Sequence, residues 1–118
     1  MATLGDLERS ALERLWDAPR PLSANEVRDA LNAGADRSLA LTTVLTVLTR
    51  LERKHFVRRD RGLRPHVFAP LKSRDEFVAD LMHEALGAAP DRQAALARFV
   101  TLAGPDETAA LKRLLGAD

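Results

Sequence analysis

Residues 41–64 read LTTVLTVLTRLERKHFVRRDRGLR, and their pattern decides the fold. Leu41, Val44, Leu45, Leu48 and Leu51 recur at steps of three and four, the spacing of one buried helix face. The other face carries Thr42, Thr43, Thr46, Thr49, Arg50 and Arg53. Threonine is a poor choice for a merely solvated helix, because its branched side chain loses rotamer freedom there. Short hydroxyls with methyls, and guanidinium forks, suit groove floors and phosphates instead. Two short strands follow, Phe56 to Arg59 and Arg64 to Ala69, around the glycine-bearing break Asp60-Arg61-Gly62-Leu63. Pro65 implies an edge position for the second strand, since proline cannot donate to a ladder.

Upstream, Leu7, Ala11, Leu12, Leu15 and Trp16 fall on one face of a helix over Asp6 to Asp17, with Glu8, Arg9, Glu13 and Arg14 elsewhere. Pro19 and Pro21 end it. Ser23-Ala24-Asn25-Glu26 is a capping box that opens a second helix carrying Val27, Ala30 and Leu31 inward. Gly34 stops that helix, Ala35 to Leu39 form a connector, and the third helix covers roughly Ala40 to Lys54. Three helices and then a two-stranded ribbon is the winged helix-turn-helix order, with the third helix as reader and the hairpin as wing. Residues 1–71 are therefore expected to form the head.

Downstream, Ser73-Arg74-Asp75-Glu76 is a second capping box, opening a fourth helix with Phe77, Val78, Leu81, Met82, Ala85 and Leu86, closed by Gly87. Pro90 starts a fifth with Leu96, Phe99 and Val100, and Gly104-Pro105 starts a sixth with Leu111, Leu114 and Leu115. Three short helices cannot enclose so much apolar face alone, so residues 72–118 are expected to dimerise. The expected interface is Phe77, Leu81, Met82, Leu86, Leu96, Phe99, Val100, Leu111, Leu114 and Leu115. The fold class is mainly α, a winged head followed by a three-helix dimerisation domain.

Charge is distributed unevenly along the 118 residues, although the formal net charge is only +1. Residues 50–64 hold seven Lys or Arg against two acids, while acids outnumber bases on both sides of that stretch. An ordinary solvated surface mixes signs, so this concentration points to a polyanion. The absence of cysteine rules out disulfides, thiolate metal sites and a catalytic thiol, and fits a reducing cytoplasm. No apolar run approaches the roughly 20 residues of a membrane span, and the first residues lack a basic-then-apolar signal. The protein is expected to be cytoplasmic.

Catalysis has little to stand on. There is no G-x-S-x-G, no glycine-rich phosphate loop and no H-E-x-x-H, and Ser23 and Ser73 are accounted for as caps. His55 and His66 flank the wing, and His83 lies near Asp80 and Glu84 without a compelling ligand spacing. Trp16, ending an apolar stripe, reads as core. No enzyme, cofactor, metal or small-molecule pocket is expected. A dimer of such heads would read a two-fold symmetric DNA site with half-sites about 10 base pairs apart. Thr42, Thr43 and Thr46 are the candidates for base edges, and Thr49, Arg50, Arg53, Arg58, Arg59, Arg61 and Arg64 for phosphates. The rival reading is a protein-interaction adaptor whose basic patch meets an acidic partner. Steep salt dependence with preference for a palindrome separates the two.

The order and spacing of several segments resemble the BlaI/MecI family of penicillinase and methicillin-resistance repressors, particularly its actinobacterial members. The segments are Leu4-Gly5-Asp6-Leu7-Glu8, Leu15-Trp16, Ser23 to Val27, the reader Thr42 to Leu51 (TTVLTVLTRL), Phe68-Ala69-Pro70 and the helical tail. The resemblance implies a homodimer that binds palindromic double-stranded operators of the TACA/TGTA type and represses by occluding promoters. It further implies a β-lactam signal passed through a membrane-bound sensor protease that cuts the repressor within its dimerisation region. The family's staphylococcal cut lies between asparagine and phenylalanine, and the corresponding pair here is Arg98-Phe99. The copper-responsive branch of the family uses a cysteine motif that this chain lacks.

Overall fold

The apolar stripe of the first helix folds as expected into α1 (Asp6–Asp17), burying Ala11, Leu12 and Leu15. The computed structural model describes residues 4–34 and 38–116. They fall into two compact units, Met1–Phe77 and Val78–Asp118. In the first, α1 is followed by β1 (Leu22–Ser23), α2 (Ala24–Asn32), α3 (Leu41–Arg53), β2 (Val57–Asp60), β3 (Val67–Pro70) and the first turn of α4 (Arg74–Gly87). The second unit continues α4 and adds α5 (Arg92–Leu102) and α6 (Pro105–Leu115).

Both capping boxes form. Ser23 Oγ accepts from Glu26 N at 3.2 Å while Glu26 accepts from Ser23 N at 3.0 Å, and Ser73 and Glu76 repeat the exchange at 3.1 and 3.2 Å. Each satisfies two orphan donors at a helix start. Gly34 follows the end of α2 with φ +73°, as a stop residue should. Of the expected connector Ala35 to Leu39, residues 35–37 lie outside the described residues.

Two expectations about the wing need correction. The sheet has three strands, in the order β1-β3-β2 and antiparallel throughout, not two. Leu22 and Ser23 pair with Phe68 and Val67, so the short stretch after Pro21 is a strand before it is a cap. Consequently β3 is the central strand and not an edge; Pro65 escapes the ladder by preceding β3, where a missing N–H costs no strand pairing. The fifth helix also starts later than expected. Asp91 is its cap, its carboxylate accepting from Ala94 N at 3.1 Å, and Pro90 lies outside.

The core of the first unit joins Ala11, Leu12 and Leu15 of α1, Val27 of α2, Val44, Val47, Leu48 and Leu51 of α3, Val57 and Phe68 of the sheet, and Phe77. Val47 is buried although it lay outside the expected stripe, while Leu41 and Leu45 are only half-buried. Trp16 and Phe56 close on Phe77, with ring centroids 5.3 and 5.6 Å away, and Trp16 Nε1 donates to Lys72 O at 2.9 Å. Arg74 then fixes the start of α4 to α1 through Glu13 and Asp17. The second unit contrasts sharply: among its described residues no side chain is fully buried. No pair of its helices makes more than marginal contact. No helix of the described residues is long and apolar enough to cross a membrane.

Candidate nucleic-acid interface

The reader helix is placed by its two ends and its apolar face. At its start, Asn32 clasps Leu39 across the turn, accepting from Leu39 N at 2.8 Å and donating to Leu39 O at 3.2 Å. At its end, Phe56 N bonds Leu51 O at 2.9 Å and His55 N bonds Glu52 O at 3.0 Å, a Schellman stop. His55 occupies the left-handed position that glycine normally fills, with φ +66°. Between these ends Val44, Val47, Leu48 and Leu51 hold the helix against the core, and Lys54 reaches back to Glu8 at 2.8 and 3.1 Å. Glu8 is 9% exposed, so its pairing is what makes its burial tolerable. Nothing in the sequence period marked it for the interior.

With one side anchored, the opposite side of α3 is presented to solvent. Thr42, Thr43, Thr46, Arg50 and Arg53 are all exposed, whereas Thr49 is half-buried. The Thr46 hydroxyl donates to Thr42 O at 2.9 Å. What Thr46 offers outward is thus its methyl and an oxygen lone pair, which suits thymine methyls and base-edge donors. Among the described residues Arg50, Arg53 and Arg58 have no acidic partner, leaving their charge available.

The other three wing arginines are engaged. Arg61 makes a two-pronged pair with Glu52 at 2.7 and 2.9 Å, tying the wing turn to the reader helix. That hydrogen bond holds the Glu52 carboxyl below the usual carboxylate range and raises the Arg61 guanidinium. Arg59 lies over the Phe68 ring at 5.0 Å and donates from Nε to His66 Nδ1 at 3.0 Å. Arg64 approaches the other nitrogen, His66 Nε2, at 2.6 Å. Desolvation first, then Arg59, Arg64 and Arg61, push the His66 imidazolium below the ordinary histidine range, partly opposed by Asp60. The Glu52–Arg61 tie and the imidazole between two arginines escape a reading by residue type, because they join positions nine and seven apart across a turn.

The expected interface residues of the tail divide into two groups. Phe77 is 4% exposed and belongs to the core of the first unit. Leu81, Met82, Leu96, Phe99, Val100, Leu114 and Leu115 are exposed, the last two about four-fifths so, while Leu86 and Leu111 are half-buried. Arg98 and Phe99 lie inside α5, where their peptide bond is held in helix.

The chain matches the profile of the penicillinase repressor family over residues 4–117. It is 48% identical to the transcriptional regulator BlaI of two strains of Mycobacterium tuberculosis, CDC 1551 / Oshkosh and ATCC 25618 / H37Rv, across 98% of this chain and 84% of theirs. A MarR family protein from Bacillus stearothermophilus shares the fold, with a TM-score of 0.53 at 19% identity over 97% of this chain and 71% of that one. Winged head, basic wing and sequence kinship converge: the chain belongs to the penicillinase repressor family, whose members regulate transcription and are not enzymes.

Proposed function

We propose that the chain is a dimeric repressor that reads a palindromic operator of the TACA/TGTA type with α3 and holds the flanking phosphates with Arg50, Arg53 and the wing. The observation that carries this reading is the two-sidedness of α3. One side is locked into the core by four buried aliphatics, and the other offers three threonines beside guanidiniums that no acid among the described residues neutralises. Dimerisation is supported by the second unit, whose helices leave large apolar side chains exposed, among them an apolar hollow between α4 and α5 lined by Met82, Leu86, Leu96 and Phe99. A second copy is the simplest cover, and joining two heads raises operator affinity well beyond that of either alone. Release by proteolysis at Arg98-Phe99, on a cell-wall or β-lactam signal, would require α5 to open locally before a protease could reach the bond.

The test is binding of the purified protein to a TACA/TGTA duplex and to a scrambled duplex at two salt concentrations, with Thr46→Ala and Arg53→Ala alongside. The expected outcome is a palindrome preference that Thr46→Ala erodes, and a weakening of both duplexes by Arg53→Ala with a salt slope shallower by about 0.9 per lost contact. Equal binding of wild type to both duplexes would refute operator reading of this type.

A further inference from the structure

His66 stands between two guanidiniums that it cannot both serve. A neutral imidazole has one lone pair to offer, since its other nitrogen carries hydrogen, and arginine donates only. With Nδ1 accepting from Arg59 at 3.0 Å, Nε2 carries the proton and faces the Arg64 donor at 2.6 Å. One of the two guanidiniums therefore finds no acceptor on this imidazole. The neighbouring acids do not supply one. Asp60, on β2, is turned into the wing and accepts from Gly62 N at 2.9 Å, and Glu52, on α3, is held by Arg61. Among the described residues neither Arg59 nor Arg64 has a carboxylate partner.

Arg59, His66 and Arg64 form the charged edge of an otherwise largely apolar crevice of about 280 Å³, whose other walls are Ser23, Ala24 and Asn25, Leu41 and Leu45 of the reader helix, and Pro65 and Phe68. It opens beside the N-terminal half of α3, the part that carries Thr42, Thr43 and Thr46. An anion there would accept from both guanidiniums, as the imidazole cannot. It would also offset the positive charge of Arg59, Arg64 and Arg61, which after desolvation is the second reason the free protein disfavours a proton on His66.

We propose that Arg59, His66 and Arg64 form a seat for one DNA phosphodiester at the root of the wing, filled together with a proton. On entry of the phosphate, His66 takes a proton from solvent and becomes an imidazolium donor, and both guanidiniums turn their N–H groups to the phosphate oxygens. Because the bound state holds more protons than the free one, affinity rises as pH falls. The site recognises phosphate and not base, so the effect extends to any duplex. This inference rests on the DNA-binding reading above and adds to it a pH response confined to one residue.

The experiment measures dissociation constants for the TACA/TGTA duplex and the scrambled duplex from about pH 8 to about pH 6 at fixed ionic strength, with wild type, His66→Gln and His83→Gln. A single linked proton changes affinity by up to about tenfold per pH unit per head. The His66 ring proton is followed by NMR in free and duplex-bound wild type over the same range. The expected result is tightening on acidification in wild type and His83→Gln on both duplexes, a flat profile in His66→Gln, and a His66 titration moved to higher pH by DNA. Binding that is independent of pH, or a pH dependence that survives in His66→Gln, overturns the proton-coupled seat and leaves DNA binding standing. A His66 titration unmoved by bound duplex overturns it independently of any variant. Absence of binding to either duplex at any pH overturns the DNA reading and this site with it.

Discussion

Replacing His55 by glycine is expected to stabilise the protein by about 0.5–1 kcal/mol through the backbone alone. His55 has φ +66° and forms the left-handed stop after α3, with its own N–H bonded to Glu52 O and the next N–H to Leu51 O. A side chain with Cβ in that conformation costs about 1–2 kcal/mol, which glycine avoids. Part of that gain, about 0.5–1 kcal/mol, is returned because glycine gives the unfolded chain more freedom to lose. The imidazole is exposed and has no side-chain hydrogen bond among the described residues, so its removal takes nothing else away. For a head of this size the gain corresponds to a rise in Tm of roughly 2–8 °C. Thermal and urea unfolding at one fixed protein concentration would measure it, with His55→Ala as control. Alanine keeps the left-handed penalty and should not stabilise. A neutral or destabilising His55→Gly would refute the argument, as would an alanine variant that matches it.

Three further predictions concern other side chains, among them Glu26, whose carboxylate accepts from the Arg20 guanidinium. Glu52→Gln should free Arg61 and remove a carboxylate from the DNA-facing side, strengthening binding to scrambled duplex and steepening its salt slope by about 0.9 per head; Arg61→Ala should leave that slope unchanged, and a shallower one would mean that Arg61 leaves Glu52 for phosphate. Phe77→Ala should cost about 3–5 kcal/mol and show as early unfolding by Trp16 fluorescence, whereas Leu114→Ala should leave that transition in place and shift the self-association measured by sedimentation. Glu26 is held at about 2 by its hydrogen bonds with Arg20 and then Ser23, with the Arg20 charge adding to them. Its folded value is depressed, so its contribution is complete above the ordinary glutamate range and is lost as pH falls from there through about 2. Glu26→Gln should therefore flatten the acid limb of an unfolding titration, and an unchanged limb would discard this cause.

Much of the head could be read from period and punctuation. Helix α1, the two capping boxes and the reader helix follow from apolar spacing and from residues that announce ends, since each depends on neighbours within a turn or two. The misses share a different origin. β1 is two residues long, too short to show alternation, and exists because β3 offers it partners 46 and 44 residues away, Phe68 for Leu22 and Val67 for Ser23. Glu8 reads as surface, and the ammonium of Lys54, the residue that caps the end of α3, makes its burial acceptable. His55 gives no stop signal, because the hydrogen bonds of the turn impose a conformation that its residue type does not favour. For the site, the exposed threonines and free arginines of α3 were legible as a face. The engagement of Arg59, Arg61 and Arg64 was not, because charge counts do not reveal which cations already have partners.

Phe77 shows that the border of a folding unit need not coincide with the end of its last strand. The sheet ends at Pro70, yet the ring that covers Trp16 and Phe56 arrives seven residues later, at the close of the first turn of α4. A shortened polypeptide ending at Pro70 or Leu71 would keep every residue of the reading face. It would lose the lid over two aromatic rings, the Lys72 carbonyl that receives the Trp16 N–H, and the Arg74 anchor on α1. Such a piece would bind poorly or clump for reasons unrelated to how DNA is recognised. The smallest faithful head runs through residue 77.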